Sequence, residues 1–195
     1  MQLKHVTTTD INMAEFIKAV KNGVAAAGDR IRIEECEWKI LEITPDSALL
    51  WKCAGPGDDM PINKNGSNEY EGSGMQKYLR EEFPETVPQE LREAVTDEGF
   101  FLLSKEEVEK YMPREIDRIY ADEDGDTRWW WTRSASRGYA NYTWHVSTGG
   151  YVGTTSARSA ARCAPACRIK LRPGLQNQIN LIIPAHTCAG EGGNL

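Results

Sequence analysis

The sequence predicts an α+β fold in which helices come early and short antiparallel strands come late. In residues 10–112, apolar side chains recur at helical spacing in several segments that follow helix-starting residues. In residues 128–183, short apolar or alternating segments are separated by Gly, Ser and Thr turns. The 195-residue length suits one hydrophobic core, so we assign residues 1–29 to an N-terminal helical element and residues 30–195 to the main domain.

Capping residues, periodicity and turn residues predict the individual elements. A first helix is expected to begin at the N-cap Asp10, to bury Val24 with its other apolar residues and to stop at Gly28. Two strands then flank a turn at residues 44–47, and residues 54–74 have the composition of a long loop. The remaining expected elements are short helices at 75–83 and 87–95, a buried strand at 100–104, a helix capped by Ser104 with Glu107 in a capping box, and strands at 128–133, 143–147, 150–152, 167–172 and 178–183.

Charge is distributed unevenly along the chain. The net charge is −6, from 23 basic and 29 acidic residues. Residues 1–127 hold 15 basic and 28 acidic side chains, whereas residues 128–172 hold eight basic side chains and no acidic one. This asymmetry indicates that the C-terminal surface either meets a neutral or anionic partner or packs against an acidic surface of its own chain or of a neighbouring subunit.

The chain shows no motif typical of an enzyme or a metal site. Its three histidines are scattered, and its five cysteines have no paired CxxC spacing. Cys163 and Cys167 could form a redox or metal pair, but Pro165 between them breaks any helix, so we expect two buried residues beside a strand. The acidic residues at 122–126 could bind calcium, but they lack the spacing of an EF-hand loop. We therefore expect a solvated acidic loop and not a calcium site. We therefore expect no catalytic residue, no cofactor and no metal.

The apolar residues are too dispersed for a membrane segment. No stretch approaches the roughly 20 apolar residues that a bilayer span needs. Residues 1–16 lack the apolar run of a signal peptide. We therefore expect neither membrane insertion nor a signal peptide.

Residues 132–162 have the composition of a recognition surface. Of these 31 residues, 23 are Gly, Ser, Thr, Asn, Tyr, Arg or Trp. Tyr and Trp supply large rigid contact areas, Arg supplies planar hydrogen-bonding groups, and Ser, Gly and Asn adapt to a partner. This composition predicts a binding surface, and a ligand-free loop region rich in Gly and Ser is the alternative.

Five motifs in order resemble the landmarks of a known domain family. They are WKILEI around Trp38, YEGSGMQKYLR from Tyr70 to Arg80, FFLLSKEEVEKY, WWWTRS and ACRIKLRPG. Together they resemble a family of unknown function from phages and gut bacteria, related to the formylglycine-generating-enzyme type of C-type lectin fold. Thr132-Arg133-Ser134 stands where the family usually has Leu-Arg-Ser after its tryptophans. The resemblance implies a C-type lectin fold over residues 30–183. It leaves two alternatives for the location of the protein, in the virion or in the cytoplasm.

The segment after the tryptophans resembles the variable region of a diversity-generating retroelement target. In such proteins Asn codons are randomised to codons that never encode Trp, Lys, Glu or Gln, and residues 134–162 contain none of these except Trp144. The resemblance implies a constant main chain with variable contact side chains at Ser136, Arg137, Tyr139, Asn141, Tyr142, His145, Ser147, Tyr151, Thr154, Ser156 and Arg158. It implies scaffold roles for Trp129, Trp130, Trp131, Val146, Val152, Cys163 and Cys167, with Trp144 as a fixed framework residue.

The function expected from these features is recognition of a protein or glycan on another surface, with a homo-oligomer as a plausible assembly. A metal-dependent enzyme of the formylglycine-generating kind is an alternative, although the reactive cysteine of that kind has no evident counterpart here. A nucleic-acid-binding module is a further alternative because eight basic residues are interleaved with aromatic ones. The negative overall charge disfavours nucleic acid as the partner.

Overall fold

The computed structural model describes residues 9–171, which form two β-sheets and four α-helices. The helices are α1 (Met13–Lys21), α2 (Gly74–Glu81), α3 (Gln89–Ala94) and α4 (Lys105–Tyr111). The strands are β1 (Thr9–Asp10), β2 (Arg30–Ile33), β3 (Cys36–Ile43), β4 (Ser47–Ala54), β5 (Asp59–Met60), β6 (Val95–Leu102), β7 (Tyr120–Ala121), β8 (Thr127–Arg128), β9 (Trp130–Ala135), β10 (Tyr142–Val146), β11 (Val152–Ser156), β12 (Ala161–Arg162) and β13 (Pro165–Lys170). The predicted mixed α+β class is confirmed, and the strand predicted at 178–183 lies outside the described residues.

The two sheets divide the chain unevenly. The larger sheet has the order β1-β2-β3-β4-β13-β6, with the short pair β7 and β8 attached to β4. The smaller sheet has the order β11-β10-β9-β12-β5. Neighbouring strands are antiparallel except for β1 with β2, β4 with β7 and β9 with β12. Residues 130–162 therefore form most of the smaller sheet, and β13 returns the chain to the larger one.

The first helix starts later than the sequence analysis predicted. Asp10 is not its N-cap but lies in β1, which pairs with β2. The cap is Asn12, whose side chain accepts the Glu15 N–H at 2.9 Å while the Glu15 carboxylate accepts the Asn12 N–H. This reciprocal capping box satisfies two N–H groups at the helix start, which a lone Asp10 could not do.

The helix also ends earlier than predicted. Lys21 is its last residue, and Gly28 instead donates its N–H to the Ile40 carbonyl of β3 at 2.8 Å. Val24 lies after the helix and is 77% exposed, so its predicted burial is wrong. Met13 and Phe16 are the helix residues that enter the core.

The predicted hairpin is confirmed, and two predicted strand boundaries are wrong. β3 and β4 pair across a turn in which the Thr44 hydroxyl accepts the Ser47 N–H at 3.0 Å. β6 begins at Val95 and not at residue 100, because Val95 pairs with Ile169 of β13. β11 covers Val152–Ser156 where residues 150–152 were predicted, because residues 147–150 form the turn before it.

The fourth helix matches the prediction from its capping sequence. The Ser104 side chain accepts the Glu107 N–H at 3.1 Å, and the Glu107 carboxylate accepts the Ser104 N–H at 2.7 Å. This capping box fixes the start of α4 against β9, where the Lys105 N–H donates to the Ser134 hydroxyl at 2.9 Å. The predicted loop at residues 54–74 contains the short strand β5, which pairs with β12.

The core lies on both faces of the larger sheet. Leu50 of β4 packs in the cluster that includes residues of α1, α2 and α3. Trp51, on the opposite face, packs with Trp130 of the smaller sheet, with ring centroids 4.9 Å apart. Because both faces are covered, β4 is buried along nearly its whole length. Among the described residues, no helix is long and apolar enough to cross a bilayer.

Candidate ligand-recognition face

The structure brings eight of the eleven predicted contact residues onto one surface. They lie in the β9–β10 loop, at the start of β10, in β11 and just after it. We call this surface the tyrosine face and define it as Ser136, Arg137, Tyr139, Asn141, Tyr142, Thr154, Ser156 and Arg158. All except Ser136 and Ser156 are exposed, and those two are half-buried. The face therefore consists of accessible side chains carried on an ordered backbone.

Asn68, in the loop before α2, holds the β9–β10 loop in place. Its side-chain amide donates to the backbone carbonyls of Ser136 at 3.1 Å, Tyr139 at 2.9 Å and Tyr142 at 2.9 Å. Its own N–H donates to the Ala140 carbonyl at 3.0 Å. Because all four acceptors are backbone atoms, this anchor does not depend on the side chains that the loop presents.

The segment after β11 is tied to the same loops. The Ala157 N–H donates to the Asn141 carbonyl at 2.9 Å, and Tyr142 lies opposite Ser156 in the β10–β11 register. Arg158 donates from Nη2 to the Asn65 carbonyl at 2.9 Å. Arg158 also lies across Gly66, where an added Cβ would come within 2.5 Å of the Arg158 Nε. These contacts make the tyrosine face continuous from the β9–β10 loop to Arg158.

An open groove borders the tyrosine face beside α4. It has a volume of about 460 Å³ and is lined by Lys105, Glu106, Ser134, Ala135, Ser136, Arg137, Gly138 and Trp144. The half-buried Trp144 ring carries the Lys105 ammonium 5.0 Å above its centroid, and its backbone carbonyl accepts the Thr132 hydroxyl at 2.9 Å. Glu106 accepts the Ser134 hydroxyl at 3.4 Å. The groove thus combines residues of the predicted variable segment with residues outside it.

The other three predicted contact residues lie apart from this face. His145 and Tyr151 are on the opposite side of the smaller sheet, where both rings lie against Gly153. Ser147 begins the β10–β11 turn, and its hydroxyl accepts the Tyr151 N–H at 3.0 Å. Tyr151 is 65% exposed, whereas His145 and Ser147 are half-buried. These three residues would therefore need a second contact surface to reach a ligand.

His145 is packed among aromatic rings. Its ring centroid is 5.3 Å from that of Trp129 and 6.3 Å from that of Trp131, edge-on in both cases. Its Nδ1 is buried without a hydrogen-bond partner among the described residues. Burial lowers the pKa of His145, because the packed rings exclude the water that would solvate an imidazolium. Burial therefore favours the neutral form of the imidazole.

The β10–β11 turn is docked on the segment that precedes β7. Gly150 has φ 87°, and a Cβ at this position would collide with the backbone carbonyl of Glu115. The Gly150 carbonyl accepts from Nη1 of the buried Arg118 at 3.3 Å. At the neighbouring Gly149 an added Cβ would meet no atom within 4 Å. Gly150 is thus a fixed point of the scaffold inside the predicted variable segment.

Most cations of the acid-free segment are neutralised within the chain. Their acidic partners all come from residues 42–122. The pairs are Arg128 with Asp122, Arg133 with Glu107, Arg162 with Asp59, Arg168 with Glu42 and Glu98, and Lys170 with Asp97. Among the cations at residues 128–171, only Arg137 and Arg158 have no acidic partner in the described part of the chain, and both are on the tyrosine face. Packing against the chain's own acids therefore explains most of the charge asymmetry.

The two neighbouring cysteines are buried beside a strand, as expected. Cys163 is 3% exposed, and Cys167 is fully buried in β13. Burial raises the pKa of both thiols far above the usual cysteine range, so neither forms a thiolate readily. Cys53 is also buried, and its pKa is raised to about 11.

The acidic loop uses its first carboxylate to fix its own shape. Asp122 accepts the N–H groups of Asp124 at 3.1 Å and Asp126 at 2.8 Å, and the Arg128 Nε at 2.7 Å. The Arg128 guanidinium holds the pKa of Asp122 below its usual range. Within residues 9–171, no cluster of three His, Cys, Asp or Glu side chains is arranged to hold a metal ion.

Comparison with known proteins found no matching family model, no matching curated protein and no matching solved structure. The features that bear on function are therefore those of the chain itself. They are the tyrosine face, the backbone anchors beneath it and the two guanidinium groups that have no acidic partner within residues 9–171.

Proposed function

We propose that this protein is a ligand-recognition module that binds a protein or glycan on another surface through the tyrosine face. One observation carries the proposal: eight exposed or half-exposed polar and aromatic side chains stand together on a backbone that is anchored from outside residues 132–162. Exposed tyrosines and arginines are the side chains that contribute most to protein recognition surfaces.

The anchors suit a surface whose side chains vary. Asn68 contacts only backbone carbonyls of the β9–β10 loop, and the pairing of β10 with β11 is likewise made by backbone groups. Substitution of Tyr139 or Tyr142 therefore leaves these hydrogen bonds in place. A face with this property can change its specificity without changing its fold.

We further propose that the domain has a C-type lectin fold and that a diversity-generating retroelement varies its face. The codon argument supports this, since Trp144 is the one residue of 134–162 that randomised Asn codons cannot encode. The half-buried Trp144 ring lies 5.0 Å from the Lys105 ammonium, which supports a framework role for its side chain. A homo-oligomer would strengthen weak single sites by avidity.

A display library tests the recognition face directly. Positions 137, 139, 141, 142, 154 and 158 are randomised together, and the library is selected against several unrelated purified proteins and glycans. A matched control library randomises six exposed helix positions instead, at Ala14, Lys18, Lys21, Lys77, Glu81 and Glu90. We expect folded, specific binders from the first library for most targets and few from the second.

Two results would contradict the proposal. One is a first library in which most members no longer fold, because the face would then be part of the core. The other is a control library that yields binders as often as the first, because the tyrosine face would then have no special capacity for recognition. Cooperative thermal unfolding of random members from each library separates these two outcomes.

A further inference from the structure

We propose that the partner of the tyrosine face is a protein with an acidic contact surface, whose carboxylates pair with Arg137 and Arg158 on either side of Tyr142. This inference rests on the proposed recognition function and names the chemistry of the ligand. It goes beyond composition, because it depends on which cations have no acidic partner in the part of the fold that the structure describes.

The choice of the two arginines follows from the ion pairs. The other five cations of residues 128–171 lie within 4 Å of a carboxylate of the same chain. Arg137 has no hydrogen-bond or ion-pair partner among the described residues. The Arg158 guanidinium donates to the Asn65 carbonyl and has no carboxylate within ion-pair distance in the described part of the chain. Because exposed guanidinium groups form two parallel hydrogen bonds with carboxylates, both are available for a partner's Asp or Glu.

The spacing of the two guanidinium groups suits an extended acidic surface. Arg137 follows β9 and Arg158 follows β11, and β10 lies between these strands. Two strand spacings separate the ends of β9 and β11, which the two arginines follow, by about 10 Å. Tyr142 starts β10 between them, and its ring lies 5.3 Å from that of Tyr139. A partner would therefore contact an aromatic pair flanked by two cations.

A protein fits this surface better than a sugar. Tyr139 is 65% exposed on the β9–β10 loop, which suits insertion into a partner's surface. Trp144, the aromatic ring of the neighbouring groove, already carries the Lys105 ammonium over one face, so that face is not free to stack on a pyranose. Arginine and tyrosine together are typical of the central contacts of protein interfaces.

The rest of the chain would orient such a partner. The net charge of −6 repels an acidic protein from most of the surface, whereas Arg137 and Arg158 attract it at the tyrosine face. Glu106 in the adjacent groove is not within ion-pair distance of either arginine, and it already accepts the Ser134 hydroxyl. An acidic patch that avoids Glu106 would therefore dock on the tyrosine face in one orientation.

The test uses a displayed library of a small helical scaffold protein, with one surface randomised over all amino acids. It is selected on the full-length chain, and a set of neutral and carboxylate-bearing glycans is assayed in parallel. We expect that binders which lose affinity to the Y139A/Y142A variant are enriched in Asp and Glu. We also expect that R137A/R158A weakens these binders by about 3- to 30-fold, more at low salt than at high salt.

Two further variants keep the test decisive. K18A/K77A removes the same two charges from exposed helix positions that have no ion pair among residues 9–171, and it should leave binding unchanged. R137K/R158K retains the charges but not the two parallel hydrogen bonds, so it should weaken binding by less than R137A/R158A does. Binding retained by R137K/R158K shows that the face stays folded when both arginines are replaced.

The outcomes separate this inference from the proposed function. Binders that depend on Tyr139 and Tyr142 but show no acidic enrichment and no response to R137A/R158A would overturn the acidic partner alone. Tyrosine-dependent binding to a glycan, with no such protein binders, would overturn it in favour of a sugar ligand. Binders that are all insensitive to Y139A/Y142A would overturn the recognition face itself.

Discussion

Replacement of Asn68 by alanine should loosen the tyrosine face without unfolding the domain. Two amide protons of Asn68 serve three backbone carbonyls of the β9–β10 loop. Each hydrogen bond of this kind contributes about 0.5–1.5 kcal/mol net. Since the contacts lie near the surface, water should replace part of the hydrogen bonding that the three carbonyls lose. We therefore expect N68A to lower the free energy of unfolding by about 1–2 kcal/mol.

The local effect should be larger than the effect on the rest of the fold. The Ser136 N–H donates to the Tyr142 carbonyl, and the Tyr142 N–H donates to the Tyr139 carbonyl. If N68A lowers the free energy of local loop opening by about 1–2 kcal/mol, these two amides should exchange with solvent about 5- to 30-fold faster. Hydrogen exchange read by mass spectrometry or NMR measures this, and urea unfolding measures the global change.

Two matched variants sharpen the test. Asn141→Ala removes an exposed amide with no side-chain hydrogen bond among the described residues, so it should change stability by less than about 0.5 kcal/mol. Asn68→Asp keeps the size but faces three carbonyls with an acceptor, so it should destabilise more than N68A. The reasoning is refuted if N68A matches N141A in both stability and exchange.

Three further predictions follow from packing and burial. Gly150→Ala should lower the free energy of unfolding by at least about 2 kcal/mol, because it adds a Cβ against the Glu115 carbonyl at a residue with positive φ. Gly149→Ala should change it by less than about 0.5 kcal/mol in the same urea unfolding assay. Burial lowers the pKa of His145 below its unfolded value of about 6.5, so the unfolded state takes up the proton first and stability should fall as the pH drops below about 6.5; urea unfolding between pH 5.5 and 8 should show a smaller loss in His145→Phe. Cys163 and Cys167 should resist iodoacetamide at pH 8 in the folded protein and react after unfolding, as peptide mapping would show; rapid modification of the folded protein would contradict their burial.

The sequence predicted the elements whose signals are local. The Ser104 capping box, the hairpin turn at residues 44–47 and the strand β9 were all found close to their predicted places. The first helix was misplaced because Asp10 pairs with β2 as part of β1, and Asn12 caps the helix instead; this pairing is not visible in the local sequence.

The candidate site could be predicted only in part. Composition and codon restriction identified the segment, and the alternation of β10 and β11 limits which side chains share a face. The sheet places His145 and Tyr151 on the side opposite Tyr142; alternation along β10 separates His145 from Tyr142, but placing Tyr151 requires the pairing of β10 with β11. Asn68 had no signal either, because its sequence neighbourhood is that of an ordinary polar loop.

The sequence analysis offered a partner or packing against acidic residues as causes of the charge asymmetry, and the ion pairs within the chain support the second for five of the cations. Distant ion pairs such as Arg168 with Glu42 become visible only once β13 lies beside β4. Long-range pairing therefore decides which basic residues remain available. Arg137 and Arg158 could not have been singled out from residues 128–172 by spacing alone.

The most direct measurement of the central claim is the distribution of substitutions among natural copies of this gene. Sequencing the gene and its flanking DNA from many isolates should show changes concentrated at exposed positions such as Arg137, Tyr139 and Arg158, with Asn68 and Gly150 unchanged. A near-identical template and a reverse transcriptase gene should lie nearby. Substitutions spread evenly along the chain, with no template, would contradict a variable recognition face.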